Sequence, residues 1–384
     1  MTISDNRRLD NEISWTAETQ GLTARSFLPS KVTLEMTYSC SHSCVFCSCP
    51  WYAASRKFGL LPEQSAEDSK KMIDVLVDEC GVSSITFSGG EPLLNPSLRE
   101  IALHASKKRA EHFAAGPSGG ATVKILKPPS LSIVTNGSPL DEGWLDFLAG
   151  VGASVAISLP GLSTYALHTG SPGADYHHAL RMIGESKKRG MMTTASITVT
   201  RANFREIYET FAEALLAGAD YLLINRFMPG GRGLSYIKEL LLDGPMTAEM
   251  LATAEDVLKT AGRNGGIGTE IPKCFFHGMR FERLAARSGC SGALDFFAVD
   301  PSGYIRVCTH SDERLVHYSE YKKLSDNATW KSFSKREYLP PECSPCSEKF
   351  ACNGGCRAAA AITGGSLDCV DPVFKIYDLR PEIL

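Results

Sequence analysis

Residues 31–47 read KVTLEMTYSCSHSCVFC, and the fold is decided there. The β-branched and apolar run at its start predicts a strand over 31–37, which feeds directly into a polar loop carrying Cys40, Cys44 and Cys47 in a C-x3-C-x2-C spacing. A strand delivering reactive side chains on the loop at its C-terminal end is how barrels of alternating strands and helices carry chemistry. Three thiolates on one short loop can hold three corners of a [4Fe–4S] cube, leaving the fourth iron open to a small molecule. From these three residues alone, a zinc site or a set of buried thiols is the competing reading.

The strand-then-helix rhythm continues outward from that stretch. Strands are expected over 84–87, 131–135, 154–159, 194–200 and 221–225, and helices over 66–79, 97–113, 140–148, 174–189, 204–216 and 247–263. Six such units predict an α/β fold, a partial (β/α)6 TIM-type barrel. Residues 115–129 (AGPSGGATVKILKPP) are rich in Gly and Pro and read as a surface insertion in the second unit. After about residue 270 the rhythm fades and cysteines become dense, with one hairpin, FFAVDPSGYIRV, turning at 301–303. The expected organisation is an N-terminal arm (1–30), the barrel (31–265) and a small cysteine-rich C-terminal domain (266–384).

The whole chain has 384 residues, 43% hydrophobic, with a formal net charge of -3. Neither that charge nor any long basic run favours nucleic acid as a partner. No apolar run approaches the roughly 18–20 residues that span a bilayer, and the opening MTISDNRRLDNEIS lacks a secretory h-region, so no membrane and a cytoplasmic location are expected. In that reducing compartment the 13 cysteines point to metal rather than to disulfides.

About forty residues past the loop, Ser88-Gly89-Gly90-Glu91-Pro92 ends the second strand. Its glycines would let the backbone approach a ligand, and Glu91 can accept from an ammonium group, although a tight turn is the bland alternative. With Phe46 just before the last cysteine, the 40–47 loop resembles the hallmark of the radical S-adenosylmethionine (radical SAM) superfamily. The resemblance implies an open iron chelating the amino and carboxylate groups of S-adenosylmethionine, with Phe46 near the adenine and Gly89, Gly90 and Glu91 at the methionine amino group. It further implies cofactor contacts from Thr135 and Asn136 after the third strand, and from Ser158 after the fourth, near the ribose or carboxylate. One departure stands out. Relatives that mature sulfatases show Ser-Leu-Asp-Gly followed by a His-Asp pair, whereas here Pro160 replaces the Asp and Thr169 follows His168. That argues against oxidation of a sulfatase residue to formylglycine.

The C-terminal cysteines fall as Cys290, twelve residues, Gly303, four residues, Cys308, then Cys343-x2-Cys346-x5-Cys352-x3-Cys356, then Cys369. This arrangement resembles the SPASM domain of peptide and protein maturases. The resemblance implies an outer cluster on Cys343, Cys346, Cys352 and Cys369 and an inner one on Cys290, Cys308 and Cys356, making three [4Fe–4S] clusters in all. Eight thiolates would close both auxiliary cubes, and Cys274 is the candidate eighth, on the inner cluster. Cys-x2-Cys with two further cysteines is also zinc-ribbon spacing. Cys49 and Cys80 are left over, Cys80 as a packing residue and Cys49 close enough to the loop to confuse its ligand assignment. The stretch 225–233 (NRFMPGGRG) reads either as a connector with solvated charges or as a grip for a carboxylate or peptide backbone.

The implied activity is reductive cleavage of S-adenosylmethionine to a 5′-deoxyadenosyl radical that abstracts hydrogen from a peptide substrate, in ribosomal peptide maturation by cross-link, oxidation or epimerisation. An external one-electron reductant such as flavodoxin or ferredoxin is expected, with a separate leader-peptide-binding protein as a further partner. The runner-up is the same chemistry on an amino acid or small metabolite, and a third reading is a non-catalytic electron-transfer or zinc protein. No catalytic acid, base or hydrogen donor is identifiable in the sequence.

Overall fold

The computed structural model describes residues 27–55, 57–115 and 122–374. Of the expected arm, residues 1–26 lie outside the described residues. Strands β1 (Lys31–Glu35) and β2 (Ser84–Ser88) pair in parallel, and β3 (Ala110–Ala115) with β4 (Thr122–Lys127) forms a separate antiparallel ribbon. The parallel series resumes with β5 (Ser130–Thr135), β6 (Ser154–Ser158), β7 (Thr193–Val199), β8 (Tyr221–Arg226), β9 (Asn264–Ile267) and β10 (Leu284–Ala285). Then come β11 (Phe297–Val299), β12 (Tyr304–Arg306) and β13 (Val316–His317). The main sheet runs β10-β9-β8-β7-β6-β5-β2-β1-β11-β12-β13, and pairing is parallel from β10 through β11. It is an open, partial barrel with helices on its outside, as the six expected strand–helix units imply.

Leu34, Ile85, Ile133, Ile157, Ile197 and Ile224 put one fully buried side chain on each of the six expected strands. Each contributes about 1.5–3 kcal/mol relative to exposure. Helix starts are specified locally. Ser65 accepts from the Asp68 N–H ahead of the helix Ala66–Asp74, and Asp243 accepts from the Met246 N–H ahead of Gly244–Ala261.

Two expectations are corrected. The helix expected over 97–113 stops at Lys107, because Lys108 turns to an extended conformation and 110–115 pairs with 122–127. What reads as an insertion is therefore a hairpin, whose alternation of Val123 and Ile125 was obscured by the Gly- and Pro-rich residues between its strands. The parallel series also does not end near residue 225: β9 and β10 extend it on one side, and β11 joins β1 on the other. The 301–303 turn is present, with Gly303 at φ +87. An added Cβ there would stand 2.6 Å from both Gln64 Nε2 and His317 Nε2.

Candidate active site at the barrel rim

The loop after β1 is pinned from three sides. Ser43 N–H donates to the Thr169 carbonyl (2.9 Å) and Val45 N–H to the His168 carbonyl (3.0 Å), tying it to the helix after β6. Gly233 N–H donates to the Cys47 carbonyl (3.0 Å) and Arg232 Nη1 to the Cys44 carbonyl (3.2 Å), tying it to the segment after β8. Asn136 Nδ2, after β5, donates to Ser41 Oγ (3.0 Å) and lies 3.6 Å from Cys40 Sγ. Burial pushes the Cys40 thiol up, and burial together with Cys47 and Cys40 does the same to Cys44. Cys47 is held below the usual thiol range by its hydrogen bond with Cys49. Arg232 supplies positive charge beside Cys44 and Cys47, its guanidinium 4.8 Å from the Tyr52 ring.

The Gly-Gly-Glu element packs on the segment just before Cys40. Gly90 N–H donates to the Thr37 carbonyl and Glu91 N–H to the Ser39 carbonyl, both at 2.8 Å. A Cβ on Gly89 would lie 2.7 Å from the Thr37 carbonyl oxygen, and one on Gly90 would lie 2.7 Å from the Ser39 carbonyl carbon and 2.8 Å from the Tyr38 oxygen. Here the close approach that requires glycine is to the protein's own backbone. Glu91, fully buried, accepts from Thr135 Oγ1 (2.8 Å), Leu93 N–H (3.1 Å) and Asn136 N–H (2.7 Å). Burial nevertheless pushes its carboxyl up to about 7. Thr135 and Asn136 are thus held by Glu91, and Ser158 ends β6 on the same rim.

Phe46 stacks edge-on with His168, ring centroids 5.8 Å apart. His168 is completely buried, between the Pro160 carbonyl (2.8 Å) and Thr200 Oγ1 (2.9 Å). Sequence reasoning missed this histidine as a brace for the cysteine loop, since no local pattern marks it. The two arginines of 225–233 are both engaged within the protein. Arg226, 1% exposed, pairs with Asp371 at 2.5 Å and donates to the Glu270 carbonyl, while Arg232 holds Cys44. Arg226 is therefore not a free grip for a substrate, whereas Arg232 is half-buried and tied to the cysteine loop through Nη1. A cavity of about 560 Å³ opens beside them, lined among others by Pro50, Lys57, Phe58, Gly231, His310 and Asp312.

Seven of the eight C-terminal thiols fall into two groups. Cys290, Cys308 and Cys356 are buried neighbours: burial pushes Cys290 and Cys308 up to about 12, with Cys308 adding to the first and Cys356 to the second. Cys343, Cys346 and Cys352 line a second cavity of about 380 Å³, and Cys274 lines it with them. Burial and the neighbouring Cys352, Cys343 and Cys346 push the Cys274 thiol up to about 11. The sequence grouped Cys274 with Cys290, Cys308 and Cys356. The structure brings it to the other set, because the chain leaving β9 turns at Pro272 into Lys273–Phe276, where Lys273 N–H donates to Cys352 Sγ (3.3 Å). Cys369 lies outside that cavity lining, its Sγ 3.2 Å from the Gly364 carbonyl. Among the described residues no three His, Cys, Asp or Glu side chains close on a single ion. A four-iron cube distributes its thiolates over separate irons, so ligands standing around an open volume fit it better than ligands converging on a point.

Residues 34–214 form a radical SAM superfamily domain, by their match to the family model of that description. The chain is 27% identical to mycofactocin maturase MftC of Mycobacterium tuberculosis, covering 90% of this chain and 82% of that protein. It is 26% identical to the PqqA peptide cyclase of Gluconobacter oxydans (92% and 93% covered) and 26% identical to the AdoMet-dependent heme synthase of Methanosarcina barkeri (88% and 95%). Among solved structures, Streptococcus suis SuiB superposes with a TM-score of 0.64 at 14% identity, over 91% of this chain and 77% of its own, which establishes the shared fold. The family match marks a radical SAM domain within the chain, and with these maturase relatives it indicates an enzyme. No helix among the described residues is long and apolar enough to cross a membrane.

Proposed function

We propose that this enzyme modifies a ribosomally made peptide by radical chemistry, with 31–265 as the catalytic barrel and 266–384 as the part that carries auxiliary clusters. The observation that carries the reading is the rim itself, where the three-cysteine loop and the Glu91–Thr135–Asn136 network stand side by side. In this reading Cys40, Cys44 and Cys47 hold three irons of a [4Fe–4S] cluster. Bound there, that cluster and S-adenosylmethionine supply a one-electron reductive cleavage that yields a hydrogen-abstracting radical. Arg232 offsets thiolate charge, and Glu91, buried beneath the rim, orients Thr135 and Asn136 for the methionine end of the cofactor. Phe46, braced by His168, covers the adenine side, and Ser158 faces the ribose or carboxylate. An external one-electron reductant completes the cycle.

The peptide assignment is supported by the similarity to the PqqA peptide cyclase, and by the shared fold with SuiB, which has been solved with its precursor peptide SuiA. The similarity to the AdoMet-dependent heme synthase favours a second reading, a small-molecule substrate in the 560 Å³ cavity. Anaerobic reconstitution of the parent chain and of Cys40→Ala/Cys44→Ala/Cys47→Ala tests the radical centre. About twelve irons per chain should fall to about eight, and formation of 5′-deoxyadenosine under reduction should stop. Two zincs and little iron would overturn the proposal. A precursor peptide that raises 5′-deoxyadenosine formation and changes mass supports the first substrate, and a porphyrin-like or amino-acid substrate that does so in its place supports the second.

A further inference from the structure

We infer that Cys274, and not Cys369, supplies the fourth thiolate of the outer auxiliary cluster. This rests on the reading of 266–384 as a cluster-bearing part. Four cysteines from three separate segments line the 380 Å³ cavity: Cys274 on the turn Lys273–Phe276, Cys343 and Cys346 on the turn beginning at Pro341, and Cys352 at the end of the helix Lys349–Cys352. Four thiolates around an open volume are the complete donor set of a [4Fe–4S] cube, and each thiol releases its proton to solvent on taking an iron.

The Cys274 segment is fixed to the other three by bonds that do not involve its own sulfur. Lys273 N–H donates to Cys352 Sγ at 3.3 Å, and Lys273 Nζ pairs with Glu348 Oε2 at 2.5 Å, at the N-terminal edge of the helix carrying Cys352. Phe275 packs on Phe374 with ring centroids 4.7 Å apart, closing the same wall. The backbone N–H on a cysteine sulfur is the kind of bond that stabilises a ligating thiolate.

Cys369 has a different set of neighbours. Its Sγ lies 3.2 Å from the Gly364 carbonyl at the end of the helix Arg357–Gly364. Its own carbonyl accepts from the buried Arg357 guanidinium at 3.0 Å, which also holds the Leu367 carbonyl at 2.7 Å. Those bonds make it a structural closure of the 364–369 loop. Cys290, Cys308 and Cys356 are then left as a three-thiol set, which gives the inner cluster an iron without a cysteine ligand.

The test uses the full chain after anaerobic reconstitution, with native thiol labelling and ligand variants side by side. Iodoacetamide followed by peptide mass analysis should modify Cys369 while sparing Cys274, even though Cys274 is the more exposed of the two, and should modify Cys274 once iron is stripped by chelator. Cys274→Ala should lose about four irons or alter the electron paramagnetic resonance of the reduced outer cluster, and Cys369→Ala should keep the parent iron content and spectrum. The reverse pattern, with Cys369 protected and its variant losing the cluster, overturns the assignment. So does parent-like iron and spectrum in Cys274→Ala. A parent protein holding only about four irons, all lost with Cys40, Cys44 and Cys47, removes the C-terminal clusters themselves and is recognised separately from either outcome.

Discussion

Replacing Gly90 by Ala isolates the contact between the Gly-Gly-Glu turn and the segment that leads into Cys40. The added Cβ would meet the Ser39 carbonyl oxygen first and stand 2.7 Å from its carbon, so restoring an ordinary contact of about 3.4 Å requires a withdrawal of more than about 0.7 Å. Both partners are backbone, which has no flexible end to give. The residue that must move is bonded to Cys40, and the Glu91 N–H bond to the Ser39 carbonyl stretches with it. Overpacking of this kind costs about 1–3 kcal/mol, which for a chain of this size corresponds to a thermal midpoint lower by about 1–4 °C. A displacement approaching 1 Å at a reacting site lowers turnover by up to about a hundredfold. Gly173→Ala serves as the control, since nothing lies within 4 Å of its added Cβ. Midpoints by calorimetry, iron per chain, and initial rates of 5′-deoxyadenosine formation are compared across the three proteins. Equal midpoints and rates in Gly90→Ala and Gly173→Ala would refute the packing argument.

Burial raises the Glu91 carboxyl to about 7, above its unfolded value near 4.5, so its contribution to the stability of the ligand-free chain is fully present below that unfolded value and is lost as pH rises through about 7. Urea unfolding should show up to about 3 kcal/mol less stability at pH 8 than at pH 4 from this group, and Glu91→Gln should remove that difference. The same slope in both proteins would assign it elsewhere. Arg226→Met leaves the Asp371 carboxylate buried with Cys356 N–H and without its cation, and should cost about 3–5 kcal/mol. Arg226→Met/Asp371→Asn should regain more than half of that, and a double variant no better than the single one would show that the pair is not the origin of the loss.

The strands were legible because each carries a β-branched or apolar core of its own, Thr193–Val199 alternating buried and half-buried along its whole length. The cysteine loop was legible because its ligands are close in sequence. What the sequence concealed depends on pairing over distance. His168 looks like any histidine in a short helix until its carbonyl is seen to hold Val45. Arg226 reads as a solvated charge until Asp371 arrives from the far end of the chain. Cys274 has no cysteine close enough in sequence to mark its group, so its partners emerge only when the turn after Pro272 lies against Cys352. The 110–127 hairpin was hidden for a local reason, since His112, Phe113, Ala114 and Ala115 suit a helix as well as a strand.

β1 is paired on one side with β2 and on the other with β11, Val32 opposite Phe297. During synthesis the second of these partners leaves the ribosome only after nearly the whole barrel has emerged, so the outer edge of β1 waits uncovered through most of translation. Closing it demands a contact of very high sequence separation, the sort that slows folding and leaves a strand edge open to mispairing. The cysteine loop hangs from that same strand. Cluster insertion by the cell's assembly machinery is therefore expected to follow release of the finished chain, and truncation before residue 297 should yield a protein that aggregates rather than a smaller working barrel.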